Sequence, residues 1–356
     1  MRQKSIEPSA ITQNAVSSAC LRCRQWARAS GLLANMRHAK LECDEWSYSS
    51  TTSACQELGQ WQKALSVADE MRQDTVEPTV FSCDALISVC EKGGRWARGL
   101  DLFDGTRRMC IQPSVVTCCA VTSACEKGEK WEQSCELLAA MAQWGLRPNV
   151  VMYSAAVSSC ENGRQWQRAL ELFMRDMKRN AVHANVFTFS ALISACEKGE
   201  RWETALFLLG AMRSERVEPN VFTFTATVGA CAAGQQWGHA LEQLHSTRLG
   251  GHKPNLFTYN MAIAACEKAA LQWRQILELL AALREEGFRP SVLTFSAAII
   301  ACSHGLRWTL ALDVLQEAQR TGIRPNVITL WASVGACEQG HLIELAHSLM
   351  RRLWHG

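Results

Sequence analysis

The sequence predicts an all-α fold, an α-solenoid of stacked helix-turn-helix repeats, and three observations lead to it. Cysteines recur at Cys20, Cys55, Cys90, Cys125, Cys160, Cys196, Cys231, Cys266, Cys302 and Cys337, in steps of 35 or 36 residues. A tryptophan follows six residues after most of them, at Trp26, Trp61, Trp96, Trp131, Trp166, Trp202, Trp237 and Trp308, with Trp273 one place later. Within each period the apolar residues fall at helical spacing. Self-similarity at this period marks a solenoid, in which each unit cannot bury its apolar face alone and must stack on its neighbours.

The repeat is clearest between Asn185 and Asn220, counted with Val186 as position 1 and Asn220 as position 35. Phe189, Leu192, Ile193 and Cys196 lie at i, i+3, i+4 and i+7, one apolar face of a first helix. Lys198-Gly199 breaks the pattern, since glycine suits a turn after a helix. A second helix carries Trp202, Ala205, Leu206, Leu209 and Met212 on its buried stripe. Pro219 stops that helix and Asn220 caps the next. The first helix has a second stripe, Phe187, Ser190, Ala191, Ser194 and Lys198, which is small and polar and is expected to form an approachable surface, not core.

Taken in order, residues 1–9 resemble the tail of a preceding repeat, since Ile6-Glu7-Pro8-Ser9 mirrors Val217-Glu218-Pro219-Asn220. The initiator methionine thus falls inside a repeat, and no targeting peptide is visible in the chain. Repeats then run 10–44, 45–79, 80–114, 115–149, 150–185, 186–220, 221–255, 256–291 and 292–326, and a shortened terminal repeat spans 327–356. The extra residue of 150–185 falls after Trp166, and that of 256–291 in its hairpin turn at Ala269-Ala270-Leu271. Both should be absorbed locally, as a bulge or a longer turn. Trp331 at position 5 and Arg351-Arg352 near the end suit a terminal helix pair.

Composition narrows the function. No apolar run approaches the ~18 residues of a transmembrane helix. The net charge of +3 means that a nucleic-acid role needs basic residues gathered on one face. Ten of the 17 cysteines sit on the buried stripe and act as small hydrophobes. Equivalent cysteines of stacked helices lie ~8–10 Å apart, too far for disulfides, and a reducing compartment follows. Cys20-x-x-Cys23 lacks the second pair of ligands that a zinc site needs, so neither a metal nor a cofactor is expected. A zinc-deaminase signature and an acidic nuclease cluster are both absent, so the chain is not expected to be an enzyme.

The Val-Phe-Thr-Phe-Ser opening, the Glu-Lys-Gly turn, the Ala-Leu-x-Leu-Leu second helix and the closing Pro-Asn resemble the 35-residue pentatricopeptide repeat family. Tryptophan at position 17, where the family usually has leucine, is a departure that concerns packing. The resemblance implies a right-handed solenoid that binds single-stranded RNA, one base per repeat. It implies that positions 5 and 35 hydrogen-bond the base while position 2 side chains sandwich it. Asn14 with Asp44 is similar to a uracil-reading pair. Ser154 with Asn185, Ser190 with Asn220, Thr225 with Asn255 and Ser296 with Asn326 are similar to adenine readers. Asn260 with Ser291 is similar to a pyrimidine reader, of cytosine first. Ser49 with Thr79, Asp84 with Ser114 and Cys119 with Asn149 fit the code poorly. The sandwiching residues would be Ile11, Val151, Phe187, Phe222, Phe257 and Leu293, with Trp46, Phe81, Val116 and Ile328 at the same position. Arg22, Lys92, Lys127, Lys198 and Lys268 at position 13 lie ~12 Å along the same helix face, placed for phosphates. The resemblance further implies action in RNA processing, stability or translation in a mitochondrion or chloroplast, with RNA-processing proteins as partners and no membrane or small-molecule substrate.

Simpler readings exist for each feature. Asparagine at position 35 is a good helix cap, position 2 aromatics could fill the seam between repeats, and lysine beside glutamate makes an ordinary solvated turn. The rival function is a scaffold for protein–protein interaction, since similar helical arrays bind peptides. Co-location favours RNA, because the three features share one stripe and the repeats from 150 to 326 keep Ser, Thr or Asn at position 5 with Asn or Ser at position 35.

Overall fold

A computed structural model of the chain describes residues 26–38, 43–56, 60–109, 111–268, 273–323 and 325–340, together with 15, 16 and 19. All the regular structure among them is helical. The helices are α1 (Trp26–His38), α2 (Glu45–Gln56), α3 (Trp61–Gln73), α4 (Val80–Lys92), α5 (Trp96–Arg108), α6 (Val115–Lys127), α7 (Trp131–Gln143), α8 (Val150–Asn162) and α9 (Trp166–Glu171). They continue as α10 (Val186–Lys198), α11 (Trp202–Ser214), α12 (Val221–Ala233), α13 (Trp237–Leu249), α14 (Leu256–Lys268), α15 (Trp273–Glu285), α16 (Val292–His304), α17 (Trp308–Arg320) and α18 (Val327–Gln339). The chain divides into two compact parts, Met1–Ala184 and Asn185–Gly356.

Each part is an α-solenoid of helical hairpins. Even-numbered helices start at position 1 and odd-numbered ones at the tryptophan. In the second part α10, α12, α14, α16 and α18 pack in succession, and each odd helix packs against the first helix of its own repeat and of the next. In the first part α2, α4, α6 and α8 do the same. Phe189, Leu192, Ile193 and Cys196 are fully buried, as are Ala205 and Met212, and Leu209 is 3% exposed. Burial pushes the thiols of Cys90, Cys125, Cys266 and Cys302 up to about 11, as expected of cysteines used as small hydrophobes.

The second stripe of the first helix is not the open surface that its polarity suggests. Ser190, Ala191 and Ser194 are 5%, 8% and 6% exposed, and only its ends, Phe187 and Lys198, face solvent. A first helix contacts its own second helix and the first helices beside it, so it has more than one buried face. Small residues in mid-helix let those neighbours approach.

The tryptophan at position 17 and the glycine at position 14 of the next repeat form one joint. A Cβ added to Gly234 would lie 2.3 Å from Cδ1 of Trp202, and one at Gly163 would lie 2.4 Å from Cδ1 of Trp131. Trp61 meets Gly93, Trp96 meets Gly128, Trp273 meets Gly305 and Trp308 meets Gly340 in the same way. Basic residues two places on cover several of these rings, with Arg95 4.7 Å from the centre of Trp61 and Lys130 4.9 Å from Trp96. The glycine is therefore required by close approach, not by turn conformation. Its φ is an ordinary −78° at Gly93 and Gly234. The left-handed residue is the next one, where Glu129, Glu200, Gln235 and Leu306 hold φ of 55–57°.

The extra residue of 150–185 is absorbed as a π-helical turn, Leu172–Met177, that continues α9. The turn at Ala269-Ala270-Leu271, the Cys20-x-x-Cys23 motif, Arg351-Arg352 and the 1–9 segment lie outside the described residues.

Candidate nucleic-acid interface

The first helices place one apolar side chain per repeat in solvent at position 2. Trp46 is 54% exposed, Phe81 54%, Val116 61%, Val151 55%, Phe187 76%, Phe222 58%, Phe257 57%, Leu293 71% and Ile328 60%. Two residues on, position 4 is buried, as at Phe189, Phe224, Tyr259 and Phe295. Large apolar residues are more often buried, so one exposed at the same position of each repeat makes position 2 a candidate contact point. The rings of Trp46 and Phe81, from consecutive repeats, lie 6.3 Å apart and within 10° of parallel.

Beside position 2, positions 5 and 35 are joined by a residue that sequence reasoning passed over, the hydroxyl at position 3 of the following repeat. Asn220 Oδ1 accepts from the Thr223 backbone N–H and from Thr223 Oγ1, both at 2.9 Å. Ser190 Oγ lies 2.9 Å from that same Oγ1. Thr223 gives its proton to Asn220, so Ser190 must donate to Thr223. The same contacts recur in Thr225–Thr258–Asn255, at 2.7 and 2.9 Å, and in Ser296–Thr329–Asn326, both at 2.6 Å, but there Thr225 Oγ1 and Ser296 Oγ also donate to the Val221 and Val292 carbonyls, at 2.7 and 2.8 Å. In the next trio Thr294 Oγ1 donates to Asn260 Oδ1 at 2.9 Å and lies 2.9 Å from Ser291 Oγ.

Capping and presentation are thus divided between the two ends of one amide. A backbone N–H can only donate, so Oδ1 of Asn220, Asn255 and Asn326 must face the helix end. The Nδ2 group then points away, and that of Asn220 is bonded to no described residue. The position 5 hydroxyls are deeper than the resemblance implies, since Ser190, Thr225 and Ser296 are 5%, 7% and 5% exposed. Each lies within hydrogen-bonding distance of the threonine at position 3 of the following repeat. The missed signal was Ser or Thr at position 3, present at Ser47, Ser82, Thr117, Thr188, Thr223, Thr258, Thr294 and Thr329.

Other repeats depart from this arrangement. At 115–149 the following repeat has Met152 at position 3, and Cys119 Sγ meets Asn149 directly, 3.6 Å from Nδ2. At 45–79 Thr79 Oγ1 donates to Glu45, while Ser49 Oγ donates to the Glu45 carbonyl at 2.8 Å. At 80–114 Asp84 accepts from Ser114 and from Thr117. Asp44 caps α2 by accepting from Ser47 N at 2.9 Å, and its partner Asn14 lies outside the described residues, as do Ile11 and Arg22. Ser154 donates to the Val150 carbonyl at 2.8 Å on α8, and Asn185 caps α10 by accepting from Thr188 N at 2.9 Å.

Lys92, Lys127 and Lys198 are exposed at the far end of the first helices, whereas the side chain of Lys268 is outside the description. Lys127 Nζ pairs with Glu91 Oε1 at 3.0 Å, position 13 against position 12 of the preceding repeat. Such an exposed pair contributes ~0–1 kcal/mol, little enough for a phosphate to compete. Among the described residues no group of three or more His, Cys, Asp and Glu side chains could hold a metal ion, and no helix is long and apolar enough to cross a membrane.

Comparison with known proteins adds the lineage. A structure of the pentatricopeptide repeat protein PPR10 from maize is 20% identical with a TM-score of 0.51, covering 98% of this chain and 59% of that one. PPR10 in complex with an 18-nt psaJ RNA element is 17% identical, with a TM-score of 0.41, over 99% of this chain and 65% of that one. The PPR domain of Arabidopsis thaliana protein-only RNase P 1 in complex with tRNA is 16% identical with a TM-score of 0.47, covering 56% of this chain and 98% of that one. This chain therefore spans about 59% of the maize protein's length. No curated protein matches it. The sequence profile described as "Pentatricopeptide repeat domain" matches residues 31–93, 101–163, 171–233 and 242–304, well over half of the chain. The chain belongs to the pentatricopeptide repeat family.

Proposed function

We propose that the chain binds single-stranded RNA in a sequence-dependent way, one repeat to one base, and through that binding governs processing, stability or translation of an organellar transcript. The observation that carries this reading is the exposed apolar side chain at position 2 of each repeat, at Trp46, Phe81, Val116 and Val151 in the first part and at Phe187, Phe222, Phe257, Leu293 and Ile328 in the second. A base entering between two of them gains ~1–3 kcal/mol of stacking on an aromatic ring, whatever its identity. Identity is then read by the polar group beside it. The Asn220 amide offers a donor to the ring-nitrogen acceptor on adenine's pairing edge, and Asn255 and Asn326 offer the same. A peptide-binding scaffold has no need for one apolar residue and one oriented amide at each period.

In this reading the chain supplies binding, and any cleavage or editing comes from partner proteins. A mitochondrion or chloroplast is the expected site of action on family grounds. With the RNA running 5′ to 3′ from the first repeat to the last, the repeats from 150 to 326 select A-A-A-C-A, with U four positions upstream of that block. Fluorescence anisotropy on the single strand 5′-U-N-N-N-A-A-A-C-A-3′ tests it. The cognate strand should bind at least about tenfold more tightly than a scrambled strand of equal composition. A pre-formed duplex should bind poorly, since its base edges are paired and stacked. Equal binding of cognate and scrambled strands would overturn the reading.

A further inference from the structure

The repeat 80–114 pairs Asp84 with Ser114, a combination to which the family resemblance assigns no base. We infer that this repeat selects guanine, with the Asp84 carboxylate as the specificity-determining group. The inference rests on the RNA-binding reading above.

The argument follows the protons. Ser114 Oγ donates to Asp84 Oδ2 at 2.8 Å and accepts from the Thr117 backbone N–H at 3.0 Å. Thr117 Oγ1 donates to Asp84 Oδ1 and accepts from the Ser114 backbone N–H at 2.9 Å. Both hydroxyl protons are therefore spent on the carboxylate. A carboxylate has about four acceptor sites, and two are filled here, so its remaining capacity is for accepting. The trio has the same layout as Ser190–Thr223–Asn220 with its polarity inverted. There the group left over is an amide donor; here it is the remaining acceptor capacity of a carboxylate whose two neighbouring hydroxyls have already given it their protons.

Placement agrees with contact to a base. Asp84 follows Phe81 by three residues on α4, which puts the two on one helical face. Phe81 and Val116, position 2 of this repeat and the next, are 54% and 61% exposed. Asp84 itself is half-buried, in contrast to the buried Ser190, Thr225 and Ser296.

Pairing-edge chemistry then separates the four bases. Guanine carries two adjacent donors, the ring N1–H and the exocyclic amine, which match two carboxylate oxygens. Adenine and cytosine each place a ring-nitrogen lone pair next to their amine, and that lone pair meets the carboxylate acceptor to acceptor. Uracil has one N–H between two carbonyls. The carboxylate also repels phosphates, so without a base contact this repeat weakens RNA binding.

The test uses the full chain and four RNAs, 5′-U-U-X-U-A-A-A-C-A-3′, which differ only at X, the second nucleotide before the adenine block. Guanine at X should bind at least about fivefold more tightly than any other base. Asp84→Asn, whose side chain both donates and accepts, should collapse that preference, with the melting temperature as the control for folding. The inference is overturned if scrambling A-A-A-C-A weakens binding but guanine is not preferred at X, or if Asp84→Asn keeps the guanine preference. If scrambling changes nothing, the RNA-reading proposal itself fails and this inference falls with it.

Discussion

Replacing Asn220 by aspartate separates the two jobs that the structure gives this side chain. In the native chain Oδ1 takes two donors from Thr223, at 2.9 Å each, and Nδ2 faces outward. Aspartate keeps an oxygen at the helix end, where it caps about as well as asparagine, and its charge interacts favourably with the N-terminus of α12. The other oxygen replaces the Nδ2 donor by an acceptor. An adenine ring nitrogen now meets an acceptor, while the guanine N1–H gains one. A hydrogen bond left unmade costs ~1–3 kcal/mol, and one is lost as another is gained. The A:G preference at this single nucleotide should therefore shift by at least about tenfold toward guanine, with thermal stability within ~0.5 kcal/mol of the parent. Competition anisotropy with RNAs differing at that one position reads the ratio, and circular dichroism reads the fold. A folded variant that still prefers adenine there would reduce Asn220 to a helix cap.

Other perturbations test packing and charge. Gly234→Ala forces a Cβ to within 2.3 Å of Trp202 and should cost ~1–3 kcal/mol in a urea melt. Trp202→Leu should relieve part of that cost, giving a coupling energy of ~0.5–3 kcal/mol in a double-mutant cycle, whereas strict additivity would refute the joint. Leu209→Ala, at a site 3% exposed, should cost ~2–5 kcal/mol locally and split the unfolding transition; one unchanged transition would contradict the repeat-by-repeat packing. Lys198→Ala with Lys268→Ala should flatten the slope of log K against log salt by ~1.4, and an unchanged slope would put the phosphate contacts elsewhere. Glu91→Gln, which releases Lys127 from its 3.0 Å ion pair, should tighten RNA binding and steepen that slope by up to ~0.7; weaker binding would argue against a phosphate role for Lys127.

The helices and their core faces were legible because the same spacing repeats along the chain. Phe189, Leu192, Ile193 and Cys196 needed only a helical wheel to be placed inside, and all are fully buried. What could not be read was whatever depends on the next repeat. A wheel assigns faces within one helix, so Ser190, Ala191 and Ser194 looked open, although they are buried where α10 packs on α11 and α12. Glycine at position 14 looked like a turn former, because the tryptophan that excludes a Cβ at Gly163 or Gly234 lies 32 residues earlier in the chain. Thr223 looked like an unremarkable third residue of a helix. Its role shows only when Ser190, 33 residues away, and Asn220 are seen to share its hydroxyl. The exposed residues at position 2 were visible as a pattern, since they were apolar on a stripe that was otherwise small and polar.

Binding-site selection from a random RNA pool tests the central claim most directly, because it presupposes neither a target nor a register. If each repeat presents one stacking residue and one oriented polar group, the selected pool should converge on single-stranded A-A-A-C-A, with U four positions upstream and G two positions upstream of its first adenine. A pool without enrichment, or one enriched in sequences unrelated to the A-A-A-C-A block, would contradict the account.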